Sequence, residues 1–461
     1  MKQIKQHLTL TLIMAAALSG CVNLAPEHQR PAAPVAQTWA QPSQGAEAAA
    51  QLGWQRYYAD ARLQRLIELA LQNNRDLRVA LLNVEQARAL ARVSAANRLP
   101  TVGLGLASAR QPGKDDSITS SYQAGLQISA YELDLFGKLR NQSDAATQRY
   151  LASAEGARAA QLSLVAAVAS AHLGLQADEE LLQLARQTLA TREDSHRLIK
   201  LRFDKGASSS LDLAGAVSAL EAARAALAQA ERQRAQDENA LVLLLGQPLP
   251  ADLPAGRALD AQQLAELPAG LPSEVLVQRP DVLQAESQLR AANANIGAAR
   301  AAFFPSITLT TSLGTASAEL DGLFKNTAWS FASQLLLPIF DSGRNEANLA
   351  AAKAAREIAV AQYEKAVQSA FREVADALAG RATLAEQARA QDAQAAAEAE
   401  RLRLVELRFA NGASGSLELL DAQRASYAAR QAALQLRLAQ LVNGVQLYKA
   451  LGGGVAAAGK T

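Results

Sequence analysis

Cysteine is almost missing from this chain of 461 residues: Cys21 is the only one, so no disulfide can form within it. Both methionines, Met1 and Met14, fall in the first twenty residues, which leaves the rest without the thioether ligands that soft metals prefer. Histidine occurs four times. His7 and His28 are expected to precede the fold, and His172 and His196 stand 24 residues apart in one helical stretch. A metal pair on a helix needs i,i+4 spacing, so no metal site, cofactor or catalytic constellation is expected, and the chain does not read as an enzyme. Gly452, Gly453 and Gly454 terminate a helix and form no phosphate loop. An excess of one charge is missing too. Lys2 and Lys5 are the only charges in the first twenty residues, and without them 44 basic residues face 44 acidic ones. A nucleic-acid binder would carry a basic excess. After residue 20 no run of eighteen apolar residues exists, which predicts no transmembrane helix. Such a chain crosses a membrane only as a closed β-barrel.

What is present is apolar enough to fold, with 49% hydrophobic and 20% charged residues. Lys2 and Lys5 precede a short apolar stretch from Leu8 to Leu18. That stretch is too short to span a bilayer and reads as an export signal over residues 1–20. Leu18-Ser19-Gly20-Cys21 resembles the bacterial lipoprotein box, which implies that Cys21 becomes the acylated first residue of the mature chain. By the same resemblance, Val22 after the cysteine favours the outer membrane. Residues 21–54 carry Pro26, Pro31, Pro34 and Pro42 and read as an extended, lipid-anchored tether.

The body of the chain repeats itself. "LRFDKGASSSLDL" from Leu201 returns as "LRFANGASGSLEL" from Leu407, with nine of thirteen positions identical. Asp76 to Pro100 aligns with Asp281 to Pro305. The first structural repeat is read as residues 55–246 and the second as 276–454, with a tail at 455–461. Residues 138–203 hold no proline and only Gly156 and Gly174 among strong helix formers. These 66 residues predict a helix about 100 Å long at roughly 1.5 Å per residue. Residues 342–408 predict a second. Each is followed by the repeated motif and another helix, about 211–245 and 417–451, and Leu434, Leu438, Leu441, Val445 and Tyr448 keep a coiled-coil spacing. An earlier helical pattern from about Gln55 breaks at Asn73-Asn74 and ends at Pro100. Between the repeats, residues 247–275 carry five prolines and read as an irregular connecting segment outside the helical bundle, with one short helix near 260–267.

After Pro100 and Pro305 the period of the apolar residues changes to two, which predicts strands at about 101–110, 122–132, 306–316 and 328–338. Each is about ten residues, the length a tilted membrane strand needs, and polar loops at 111–121 and 317–327 join the pairs. Four strands cannot close a barrel, and free edges in lipid leave backbone groups unpaired. The chain therefore has to associate with copies of itself. Two copies give eight strands and a filled interior, and three give twelve.

"YELDLFGKLRNQ" from Tyr131, "QRPDVLQAESQLRAANANIGAARAAFFPSI" from Gln278 and "LLDAQRASYAARQAAL" from Leu419 resemble the outer-membrane factors of tripartite efflux pumps, in the lipidated OprM-type branch of the TolC-like superfamily. The resemblance implies a mostly α fold with membrane β: a homotrimeric twelve-stranded outer-membrane barrel continuous with a long periplasmic α-helical barrel, each chain carrying an internal two-fold repeat. It implies a passive exit duct for drugs and small molecules. It also implies a periplasmic adaptor protein and an inner-membrane transporter of the resistance–nodulation–division class as partners. Two other readings remain open: a duct for type I polypeptide secretion, and a lipid-anchored coiled-coil scaffold with no pore.

Within that resemblance the repeated motif is the tip of a helical hairpin. Gly206 and Gly412 suit the left-handed conformation that ends a helix. Ser209 or Ser210 in one tip, and Ser416 in the other, are expected to cap the helix that follows. Phe203, Gly206, Ala207 and Ser208, with Phe409, Gly412, Ala413 and Ser414, match the adaptor-contacting positions. Asp212, Glu418 and Asp421 match the positions that point into a periplasmic gate, where three copies would make rings of carboxylates that favour cations. The same acids also suit the first turns of their helices. Arg424 lies at i+3 from Asp421 and is expected to pair with it, whereas Ser218 holds the equivalent place in the first half.

Overall fold

The computed structural model describes residues 23–36, 52–112, 117–267 and 273–453. The expected signal at 1–20, the acylation site Cys21, the tail at 455–461 and parts of the tether and of the connecting segment lie outside these residues. In chain order the helices and strands begin with α1 (Trp54–Tyr57), α2 (Ala61–Asn73), α3 (Arg75–Ala96), β1 (Val102–Pro112) and β2 (Ile118–Leu133). Helices α4 (Lys138–Asp204), α5 (Ser210–Leu245) and α6 (Pro280–Ala301) follow. The chain continues through β3 (Ser306–Ser317), β4 (Thr327–Leu336), α7 (Arg344–Ala410) and α8 (Ser416–Ala450). The order α–β–β–α–α thus occurs twice.

Both long helices run for 67 residues. Each starts under an aspartate that collects the free amides of its first turn. The Asp134 carboxylate accepts from the backbone N–H of Leu139 (3.0 Å) and Arg140 (2.6 Å). Asp341 accepts from Gly343 (3.1 Å) and Asn345 (3.0 Å). Over one eighteen-residue window α4 is long and apolar enough to cross a membrane by length and composition alone, but half of that window is buried in the chain.

The chain divides into two compact units. The first comprises the residues up to Ala33, Leu81–Glu155 and Leu283–Ala366. It holds one antiparallel sheet in the order β1-β2-β3-β4. Its helical part packs through small side chains: Ala145 with Ala291 and Ala294, and Ala292 with Leu289 and Ala359. Residues 23–36 of the tether hold no helix or strand, and the first of them are pinned. Arg300 on α6 donates to the Leu24 carbonyl (2.9 Å), and Ala25 lies against Gly297. Further along, buried Glu286 receives Arg30 (2.6 Å), Arg290 (2.7 Å) and His28 (3.3 Å). Residues 24–30 therefore run along α6 from its last turn towards its first, and His28 belongs to the fold rather than preceding it.

The second unit comprises Pro34–Ala80, Gly156–Val282 and the chain from Val367 onward. Its aromatic core stacks Tyr57 on Tyr448 with centroids 4.1 Å apart, and Tyr58 meets both rings edge-on. Beside it, Asp60 caps α2 through the Arg62 N–H (2.9 Å) and receives His172 (3.1 Å) and Gln262 (3.0 Å). Burial alone would raise the Asp60 carboxyl, but those three donors outweigh it and hold it at about 2. His172 is accordingly a packed histidine.

The connecting segment departs from expectation. In place of a helix at 260–267 there is one 3-10 turn, Leu259–Ala261, followed by extended chain in which Leu264 bridges to Tyr58. Burying Leu259 and turning Gln262 towards Asp60 requires that extended backbone, which overrides the helical composition. A second 3-10 turn, Ser273–Gln278, leads into α6. The asparagine break occurs as expected, with Asn74 capping α3 through the Leu77 N–H (2.8 Å). Helix α3 stops at Ala96, where the Arg98 and Leu99 N–H groups turn back to the Ala95 and Ala96 carbonyls, and Pro100 keeps Leu99 out of helical backbone. Strand β1 runs on to Pro112 and β2 begins at Ile118, both beyond the expected limits.

Candidate functional site

The sheet sorts its side chains by face. Leu104, Leu126, Leu313 and Trp329 stand in register across all four strands. Val102, Ile128, Thr311 and Phe331 form a parallel row two residues away. Opposed residues of an antiparallel pair share a face, so these rows make one face apolar, and it is bare: Leu104 is 83% exposed and Trp329 76%. The alternate rows, Gly103-Gln127-Ser312-Ser330 and Gly105-Gly125-Gly314-Ala328, put small and polar groups on the other face. A Cβ on Gly314 would lie 2.1 Å from the Ala124 carbonyl oxygen, so only glycine fits there. Strands β1 and β4 are the edges, and neither has a further partner among the described residues. Oily on one face, polar on the other and open at both edges, the sheet suits one segment of a membrane barrel.

The second site is the pair of hairpin tips, α4 to α5 and α7 to α8. Their closures match. Gly206 and Gly412 both take φ +73°. Ala207 N–H donates to the Arg202 carbonyl, as Ala413 N–H does to Arg408, each at 2.8 Å. These are the paired bonds of a left-handed helix ending.

The helix starts differ. Ser209 caps α5 and forms a reciprocal box with Asp212. In the second tip Gly415 is the cap and has no side chain to offer. Ser416, expected to cap α8, sits one residue inside it. From that position its oxygen does not cap the helix, and its hydroxyl donates across to the Asp212 carboxylate, a charge-assisted bond. Ser416 contributes most, ahead of Ser209, to holding the Asp212 carboxyl at about 2.

The remaining positions expected at the gate resolve into separate ion pairs. Asp421 receives Arg424 at 2.7 Å, as expected, and also Arg401 of α7 at 2.6 Å. Arg401 first, then Arg424, keep its carboxyl below the usual range. Glu418 pairs with Arg408 at 3.3 Å. The three acids share no partner. Beneath them Ile199, Ala216, Val405, Phe409, Leu419 and Ala422 form a small apolar core that joins the two hairpins.

Among the adaptor-matching positions Gly206, Ala207, Gly412 and Ala413 are exposed, and Ser208 and Ser414 are half-buried. The two phenylalanines differ: Phe203 is 37% exposed, whereas Phe409 is 4% exposed and lies under the Arg202 guanidinium, 4.2 Å from the ring centre. Arg401 and the cross-tip role of Ser416 gave no local signal in the sequence, whereas Arg202 and Arg408 stand at the same place in the repeated motif. Among the described residues no cluster of three metal-ligating side chains occurs.

A family model described as outer membrane efflux protein matches residues 66–247 and again 271–453. The toluene efflux pump outer membrane protein TtgC of Pseudomonas putida is 46% identical over 460 residues, covering 96% of this chain and 95% of its own. Outer membrane protein OprJ of Pseudomonas aeruginosa is 46% identical over 457 residues, with the same coverage. The open state of the Neisseria gonorrhoeae MtrE outer membrane channel superposes with a TM-score of 0.86 at 45% identity, covering 94% of this chain and 99% of that one.

Proposed function

The chain belongs to the outer membrane efflux protein family and is the outer-membrane channel component of an efflux system, and we propose that three copies close one twelve-stranded barrel to form its exit duct. The observation that carries this reading is the four-stranded sheet with one oily face and two free edges. Alone in lipid, each edge would leave backbone groups unpaired at several kcal/mol apiece. Joining β1 of one copy to β4 of the next removes every edge, and three copies leave a lumen lined by the glycine, glutamine and serine rows. That lining is polar and weakly selective, which suits passive passage of drugs and other small molecules rather than chemistry on them.

The helical tips are the periplasmic gate in this proposal. The Ser416–Asp212 bond holds the two hairpins of a chain together, and the Asp421 bridge to Arg401 and Arg424 locks α7 to α8 within one of them; opening requires these contacts to part. Exposed glycines and alanines at the tips offer backbone to a periplasmic adaptor, which couples the duct to an inner-membrane transporter. Acylation of Cys21 adds a lipid anchor, and the pinned residues 24–30 fix where the anchored end leaves the fold.

Planar-bilayer recording on the detergent-extracted protein tests the duct. Discrete conductance steps from a trimeric particle are expected, and a particle that passes no current refutes the reading. Deleting the protein should raise antibiotic accumulation in cells. Loss of a secreted polypeptide with unchanged accumulation would assign the duct to protein export instead.

A further inference from the structure

Between the two hairpins of the second unit lies a cavity of about 400 Å³, within the range of small-molecule pockets, roughly 300–1,000 Å³. Its walls are largely apolar, with Ala219, Ala222 and Ala226 of α5 on one side and Tyr427 of α8 on the other. Arg192 of α4 and Arg424 of α8 also line it. Arg192 is the unusual member. It is only 6% exposed, yet no carboxylate lies within ion-pair distance of it among the described residues. Its hydrogen bonds both leave from Nη1, to Gln423 Oε1 (2.7 Å) and to the Leu420 carbonyl (3.3 Å). Nε and Nη2 have no partner there. The one acid in the lining, Asp421, is already held by Arg401 and Arg424.

A buried guanidinium without a counter-charge is costly, and burial together with the Arg424 charge pushes this one below its ordinary pKa. An anion entering the cavity would supply what the chain does not. We propose that this cavity binds a small amphipathic organic anion, an aromatic sulfonate or carboxylate. Its head meets the free side of Arg192, and its ring lies between the α5 alanines and Tyr427. The planar fork of arginine suits such an oxyanion, which can take two parallel hydrogen bonds. A cation meets two guanidiniums, and a neutral ligand leaves Arg192 uncompensated. Because the walls come from both hairpins, an occupant favours the arrangement that forms the cavity. On the gate reading above it therefore disfavours opening; the binding itself does not depend on that reading.

The test is fluorine NMR on the full-length protein in nanodiscs. The anionic probe is 4-(trifluoromethyl)benzenesulfonate, 4-(trifluoromethyl)benzyl alcohol is its neutral counterpart, and empty nanodiscs are the blank. Saturable binding of the sulfonate is expected, at least tenfold tighter than the alcohol. Arg192→Gln should weaken it at least tenfold. Ala222→Leu, which fills the cavity from the far wall and leaves the arginine in place, should abolish it and serves if Arg192→Gln fails to assemble. Equal affinity for sulfonate and alcohol, or sulfonate binding untouched by Ala222→Leu, overturns the proposal. Conductance of the same samples separates the two ideas: binding without current sinks the duct, and current without binding sinks the site.

Discussion

Replacing Asp178 with asparagine should make the protein more stable in mild alkali and leave it unchanged in mild acid. Asp178 sits on α4, is only 9% exposed, and has a buried Oδ2 with no hydrogen-bond partner. Burial first, then the neighbouring Asp237 carboxylate of α5, raises its carboxyl from 3.8 to about 7. The nearby Arg234 does not relieve it, since its guanidinium is directed to Glu238 (2.9 Å) and Glu179 (3.7 Å). Below about pH 4 the folded and unfolded chains both hold the proton. Between about pH 4 and 7 the folded chain keeps a proton that the unfolded chain has lost, so stability falls as pH rises; above 7 the penalty is complete. A raise of roughly three units at about 1.4 kcal/mol each sets a ceiling of about 4 kcal/mol per chain. Water entry and sharing of the proton with Asp237 reduce this, and we expect about 2 kcal/mol in practice. Asparagine resembles the protonated acid in shape and keeps a donor towards Asp237. The assay is the rate of thermal unfolding in detergent at pH 4.5 and pH 8. Wild type should unfold markedly faster at pH 8, and Asp178→Asn should flatten the dependence. The same pH profile in both proteins refutes the reasoning.

Asp421→Ala and Arg401→Ala remove the same bridge and should both raise open-channel conductance and sensitivity to bulky antibiotics; wild-type recordings from both variants would remove these residues from the gate. Cys21→Ala should abolish acylation while leaving the trimer intact, and mass spectrometry finding an unmodified wild-type Cys21 ends the lipid claim. Glu286→Gln loses the buried charge that gathers His28, Arg30 and Arg290. With charge-assisted bonds worth about 2 kcal/mol, limited proteolysis within residues 23–33 should speed up roughly thirtyfold; unchanged cleavage would show that the strap is held by other contacts.

The long helices were legible because their signal is local: 66 residues without proline cannot do much else. The strands were legible only where apolar residues alternate. Ile118 to Ser121 of β2 were missed because they are mostly serine and threonine, and they stand in register with Ala109, Arg110, Gln111 and Pro112. Among the tip contacts, Arg424 beside Asp421 could be read because i+3 on a helix is fixed geometry. Arg401 lies 20 residues from Asp421 and Ser416 lies 204 from Asp212. The first belongs to the packing of two helices within a hairpin and the second to the packing of two hairpins, and nothing in either segment announces them. Ser416 shows the cost of reading locally, since a serine near a helix start is ordinarily a cap. The register of the sheet was likewise invisible, although the residue types that make its oily and polar faces were already on the page.

The bond from Ser416 to Asp212 makes the two tips unequal in kind. One loop is self-sufficient, held by its own serine and aspartate, while its counterpart has a bare glycine where that serine would be and lends its hydroxyl across the gap. A transplant of loops would expose the difference. Two copies of the first would keep the fastener, since Ser210 stands where Ser416 does, and two copies of the second would set a longer glutamate in place of Asp212 with no serine box to hold it.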